Sequence, residues 1–202
     1  MTKPPLDLRC YFVTGQGPDV VERARQAAAG GAGVIQVRSK PITARELYAL
    51  SRAVAKAVHS VNPRTHVLID DRADVAAALR NQGISGVHVG QDDLDVRVVR
   101  ELLGPDAIIG LTTGTRQLVE ESNKIAHLID YIGTGPFRPS PTKQSNRPPL
   151  GIDGLRELAE LSAVPTVAIG DITPEDCPAI RTTGVAGIAM VRAFVDNPAL
   201  QA

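Results

Sequence analysis

Residues 66–93 read HVLIDDRADVAAALRNQGISGVHVGQDD, and the order of parts within this stretch decides the fold. Val67-Leu68-Ile69 is a short run that is apolar on both faces, as a strand buried in a parallel sheet must be. It ends abruptly in Asp70-Asp71-Arg72. A helical pattern over Arg72–Arg80 follows, with Gly83 where that helix should end. A second short run, Gly86–Val89, then closes on Gly90-Gln91-Asp92-Asp93. Two strands joined by a helical crossover pair in parallel.

Working outward, the same unit recurs along the chain. The spacing predicts strands over Arg9–Thr14, Gly33–Arg38, His66–Asp70, Gly86–Val89, Ala107–Leu111, Tyr131–Thr134, Thr166–Ile169 and Gly187–Val191. Helices are predicted over Pro18–Ala29, Thr43–Ser60, Arg72–Arg80, Leu94–Leu103, Thr115–Ala126, Ile152–Leu161 and Pro174–Thr182. Thr43-Ala44-Arg45-Glu46 reads as a capping box, and Thr173-Pro174 as an N-cap followed by proline at the first helical position. Eight evenly spaced βα units favour a single parallel (β/α)₈ TIM barrel over a doubly wound sheet. The turn after the first strand, Gly15-Gln16-Gly17-Pro18, lacks the GxGxxG fingerprint of a dinucleotide site. No linker divides the chain, so residues 1–202 are expected to form one domain. Its 202 residues sit near the short end for such a barrel. Only the Pro/Ser/Thr/Lys-rich loop Gly135–Leu150 is unusually long, a length that often marks a binding lid.

Bulk chemistry excludes several partners. Lys+Arg and Asp+Glu number 22 each, so no net charge steers the chain to nucleic acid or an acidic membrane. The absence of Trp and 3% aromatics leave little for stacking on single strands. No apolar run is long enough for a bilayer, and Met1–Pro5 is too short and polar for a signal peptide. Cys10 and Cys177 stand alone, which argues against a disulfide or zinc site and for a reducing cytoplasm.

In a barrel, the C-terminal strand ends form one rim, where active sites lie. Gln36-Val37-Arg38-Ser39-Lys40 puts an amide and two cations at one strand end, suited to a diphosphate; a solvated corner fits the pattern equally well. Asp71 and Asp93, after adjacent strands, would make a hard-oxygen site for Mg²⁺, although an acid before Arg72–Arg80 also suits helix capping. His88 alone reads as a packed polar residue. Thr112, Ser140, Thr142 and Lys143 offer hydroxyls and a cation for phosphate, although taken alone the strand-five end reads better as a helix cap at Thr115 and Pro139–Lys143 better as a surface turn. Gly170 and Arg192 suit the frequent phosphate site after strands seven and eight, whereas Asp171 does not.

These segments, in this order from about Arg9 to Ala193, resemble the thiamine-phosphate synthase family. The pieces that carry the likeness are Gln36-x-Arg38-x-Lys40, Asp70-Asp71-Arg72, Gly86–Asp93, Tyr131-Ile132-Gly133-x-Gly135-Pro136, Pro139-Ser140-x-Thr142-Lys143 and Ala168-Ile169-Gly170. The resemblance implies a transferase that couples hydroxymethylpyrimidine diphosphate to thiazole phosphate, giving thiamine phosphate and pyrophosphate. It implies Mg²⁺ on Asp71 and Asp93. The diphosphate would lie on Gln36, Arg38, Lys40, Asp70, Thr112 and Lys143, with Arg38, Lys40 and Lys143 stabilising the leaving charge. The thiazole phosphate would lie against Ser140, Thr142, Gly170, Asp171, Val191 and Arg192. Small phosphorylated molecules would be its partners, and a homodimer is left open.

The chain departs from the family pattern in having Asp70 for Asn, Thr112 for Ser, Gly114 for His and Asp171 for a second Gly. A carboxylate about 4 Å from a phosphate charge costs about 4 kcal/mol at an effective dielectric of about 20, so Asp171 needs a cation, with Arg192 as the candidate. The stretch Asn81–Ile84 also runs about three residues longer than the family pattern. Two further readings follow. One is a thiazole tautomerase, which resembles the synthase in fold but would want a His at Gly114. The other is a paralogue that binds one phosphate without turnover.

Overall fold

The computed structural model describes residues 5–139 and 148–191. Its eight strands are β1 (Cys10–Val13), β2 (Val34–Val37), β3 (His66–Asp70), β4 (Gly86–Val89), β5 (Ile108–Thr113), β6 (Tyr131–Thr134), β7 (Thr166–Ala168) and β8 (Gly187–Met190). They pair in chain order, all parallel, and β8 closes on β1. The helices α1 (Val20–Ala29), α2 (Ala44–Val61), α3 (Ala73–Ala78), α4 (Val96–Leu103), α5 (Arg116–Lys124), α6 (Gly151–Leu161) and α7 (Cys177–Arg181) occupy the crossovers. The eight-strand barrel expected from the sequence is the fold observed.

Strand alternation sorts the core into two layers. Phe12, Ile35, Val37, Val67, Ile69, Val87, Val89, Ile109 and Ile132 face outward and pack under the helices. Tyr11, Val13, Val34, Leu68, Ile108, Tyr131 and Val167 fill the barrel interior. Apolarity on both faces of a strand is thus two half-cores, one on each side of the sheet.

Most element ends match expectation. Thr43 and Glu46 form the reciprocal cap of α2, with the Glu46 amide donating to Thr43 Oγ1 at 3.3 Å and the Thr43 amide donating to Glu46 at 3.0 Å. Three regions differ. β5 runs to Thr113, beyond the expected Leu111, because Thr112 and Thr113 stay paired with Gly133 and Thr134 of β6. The third helix stops at Ala78 and gives way to a 3-10 turn, Arg80–Gln82, ending on left-handed Gly83. The seventh helix is α-helical only over Cys177–Arg181, after a 3-10 turn at Pro174–Asp176. Pro178 has no N–H to return to the carbonyl of Pro174, so the α pattern cannot begin earlier.

Candidate active site

Five of the expected residues meet at the mouth between β2 and β3. Arg38, just past β2, is clamped by Thr14 at the end of β1. The Thr14 hydroxyl accepts from the Arg38 amide at 2.9 Å and donates to the Arg38 carbonyl at 3.0 Å. Gln36 points inward and is buried, and its Nε2 donates to Asp70 Oδ1. Asp70 is itself buried, at 7% exposure. Its Oδ2 lies 3.1 Å from Lys40 Nζ and 3.4 Å from Arg38 Nε, yet accepts no well-directed hydrogen bond. Lys40 also pairs with Asp71. At this corner of the mouth, two cations therefore face two carboxylates.

Asp71 adopts a left-handed conformation, φ 61°, which Asp tolerates better than most residues. Its amide donates to the His88 carbonyl at 2.8 Å, hooking the end of β3 onto β4. Neither acid caps α3, whose N-cap residue Arg72 makes no side-chain cap bond. Asp93 lies on the turn after β4, where its Oδ2 accepts from the Gly90 amide at 2.7 Å. Among the described residues, no three His, Cys, Asp or Glu side chains gather as a metal cluster. Mg²⁺ needs only one or two carboxylates, with waters and phosphate completing its shell. Asp71 and Asp93 at neighbouring strand ends, with the poorly satisfied Asp70 Oδ2 nearby, are hard-oxygen donors of that type.

Below the rim runs a group of polar residues that the sequence reading did not single out as a site. Tyr11 donates to Gln36 Oε1 at 2.8 Å, and the Tyr11 and Tyr131 hydroxyls are 2.7 Å apart. Tyr131 lies 2.9 Å from His88 Nδ1, and His88 Nε2 is 2.9 Å from the Thr112 hydroxyl. His88 is thus a packed polar residue, as its isolation in sequence implied. Burial pushes both phenol pKa values well above the ordinary tyrosine range, with Asp70 adding to the effect. Thr112 joins the mouth from β5, where Gln91 also donates to its carbonyl at 2.6 Å.

The opposite side of the mouth is built on Gly170 and Asp171, after β7. Gly170 has φ 116°, and a Cβ there would lie 2.6 Å from the Phe137 nitrogen and from Pro136 Cα. Asp171 continues the turn at φ 52°. The cation beside it is Arg138, whose Nη1 donates to the Asp171 carbonyl at 3.1 Å. Arg138 also binds Asp176 at 2.5 Å and 2.8 Å and lies 4.8 Å from the Phe137 ring centroid. Its guanidinium pKa is raised, first by Asp176 and further by the charge of Asp171. Val191 sits half-buried just beyond β8, against the interior core. Ser140, Thr142, Lys143 and Arg192 lie outside the described residues.

A family profile described as thiamine monophosphate synthase matches residues 10–194. A thiamine-phosphate synthase from Corynebacterium efficiens is 62% identical over 199 residues, covering 96% of this chain and 91% of that protein. One from Clostridium novyi is 34% identical, with 97% and 95% covered. Among solved structures, a thiamine phosphate pyrophosphorylase from Pyrococcus furiosus superposes with a TM-score of 0.82 at 30% identity, covering 97% of this chain and 91% of that one. The chain therefore belongs to the thiamine monophosphate synthase family.

Proposed function

We propose that this chain is a transferase joining hydroxymethylpyrimidine diphosphate to thiazole phosphate, forming thiamine phosphate and releasing pyrophosphate. The observation that carries this reading is the convergence of Gln36, Arg38 and Lys40 on Asp70 and Asp71 at the barrel mouth. Arg38 and Lys40 are matched by Asp70 and Asp71. A diphosphate would draw both cations onto its oxygens, Arg38 as a fork and Lys40 as a point charge. Lys143, from the Pro/Ser/Thr/Lys-rich segment, would add a third.

Asp71 and Asp93 would hold Mg²⁺, which supplies charge neutralisation of the departing pyrophosphate when bound. The rest falls to the chain itself. Arg38, Lys40 and Lys143 stabilise negative charge as the bond to the pyrimidine methylene breaks. Gly170 admits the thiazole phosphate close to backbone, with Asp171, Val191, Arg192, Ser140 and Thr142 around it. The barrel mouth holds the thiazole nitrogen in line for attack, so positioning replaces a general base. Arg138 adds positive charge beside Asp171 on this side, and Arg192 is the second cation we assign there.

Incubation with both substrates and Mg²⁺, followed by fluorescence of the oxidised product, should show thiamine phosphate. A folded protein that binds one substrate and yields none would leave only the non-catalytic paralogue. The tautomerase reading is set aside because Gly114 offers no imidazole.

Among the described residues, no helix is long and apolar enough to cross a membrane. With both cysteines free, the cytoplasm is the compartment we assign, and residues 1–202 act as one catalytic domain.

A further inference from the structure

The polar residues inside the barrel form one unbroken chain of hydrogen bonds, and counting protons fixes its direction. A carboxylate only accepts, so Asp70 Oδ1 must receive the Gln36 amide nitrogen. That turns Gln36 Oε1 toward Tyr11, whose hydroxyl donates to it at 2.8 Å. A phenol has a single proton. With that proton committed, Tyr11 must accept from Tyr131 at 2.7 Å. The Tyr131 proton is then committed as well, so its oxygen accepts from His88 Nδ1 at 2.9 Å. His88 therefore carries a hydrogen on Nδ1. On an imidazole whose one hydrogen is on Nδ1, Nε2 is a bare acceptor. Across the 2.9 Å contact, the Thr112 hydroxyl then donates to it.

We propose that His88 is a positioning residue, held by this chain as the Nδ1–H tautomer, and that it ties down the Thr112 hydroxyl proton so that Thr112 presents only lone pairs to the mouth. This rests on the synthase reading and sharpens it. Thr112 meets a hydrogen-bond donor on the pyrimidine rather than an oxygen of the diphosphate. Neighbouring glycines make the arrangement sterically available. A Cβ at Gly110 would lie 2.5 Å from His88 Nδ1, and one at Gly133 would lie 3.0 Å from its Cε1. The anchor is Asp70, because an amide at that position could donate as well as accept and would no longer dictate direction.

The test reads the tautomer in the full chain, independently of turnover. The protein is labelled with ¹⁵N-histidine, and the His88 signals, among those of four histidines, are assigned by loss in His88→Gln. At pH 7.5, Nδ1 should resonate as a protonated nitrogen and Nε2 as a bare one. An Nε2–H tautomer or an imidazolium would overturn the proposal even if the synthase reaction is confirmed. Asp70→Asn should add a second tautomer while the other histidine signals stay in place; a single unchanged tautomer would remove Asp70 as the anchor. Affinity for inorganic pyrophosphate with Mg²⁺ should be the same within twofold in Thr112→Val. A loss of tenfold or more would show that Thr112 donates to phosphate, contrary to the proposal.

Discussion

Gly110→Ala tests the barrel interior with an unambiguous sign. Gly110 lies in β5 between His88 on one neighbouring strand and Tyr131 on the other. An added Cβ would sit 2.2 Å from Tyr131 Cζ, 2.3 Å from its hydroxyl and 2.5 Å from His88 Nδ1. Restoring ordinary contact at about 3.4 Å requires the ring to retreat about 1.2 Å. The Tyr131 hydroxyl is held at 2.7 Å by Tyr11 and at 2.9 Å by His88, so that retreat breaks at least one buried hydrogen bond. Overpacking costs about 1–3 kcal/mol, and each orphaned buried partner about 1–3 kcal/mol more. Together they give a loss of about 3–5 kcal/mol, a large part of a typical domain's stability. For a chain of this size, at about 2–4 °C per kcal/mol, the melting temperature should fall by about 6–20 °C. Strand preference alone points the other way, since Ala is favoured over Gly by about 0.5–1 kcal/mol. Gly15→Ala is the control, with nothing within 4 Å of its Cβ and no left-handed strain. Calorimetry and urea unfolding of the two variants give the answer. If Gly110→Ala melts within a degree of the parent, the Tyr131–His88 packing described here is wrong.

Three further outcomes follow from the same structure. Burial pushes the Asp176 carboxyl up, but Arg138 and the amide and hydroxyl of Thr173 outweigh it and hold the group below its ordinary 3.8. The stabilisation this brings is present above that ordinary value and is lost as pH falls through the lowered folded one. Between pH 7 and pH 3, Asp176→Asn should lose less stability in urea titrations than the parent, and parallel losses would refute the coupling. Asp93→Ala should abolish Mg²⁺-dependent turnover and, by removing the acceptor for the Gly90 amide, cost about 1 kcal/mol; retained turnover would remove Asp93 from the metal site. Burial pushes the Cys10 thiol up to about 11 and raises Cys177 as well. Because the thiolate is the reactive form, iodoacetamide at pH 8 should modify both at least tenfold more slowly in the folded protein than in urea, and equal rates by mass spectrometry would contradict the burial.

What could be read in the sequence was whatever depends on neighbours along the chain. Val67-Leu68-Ile69 announces a strand buried on both faces, and Gln36, Arg38, Lys40, Asp70 and Asp71 reach the rim because they follow strand ends. Pairing across the barrel leaves no such trace. Tyr11 and Tyr131 are 120 residues apart and meet only because β1 closes on β8 and both side chains take inward positions of the same interior. Arg138 escaped notice for a similar reason. Its Phe-Arg context reads as loop, and its role appears only when the turn after β7 carries Asp171 and Asp176 to it.

Asp70 shows why the reading of single residues ran short. Taken alone, an acid beside a diphosphate site is a charge in the wrong place. In the barrel its two oxygens face different tasks. Oδ2 offsets Arg38 and Lys40, so the two cations do not stand side by side without a nearby opposite charge, an arrangement that self-repulsion would disfavour. Oδ1 terminates the interior chain at Gln36 and, being unable to donate, sets the sense of every bond back to Thr112. Replacement by Asn would remove both effects together, leaving Arg38 without its carboxylate, Lys40 with Asp71 alone, and a chain free to reverse. Asp70→Asn should therefore bind pyrophosphate more tightly while relaxing the His88 tautomer. A variant that changed one property without the other would show that the two oxygens act independently.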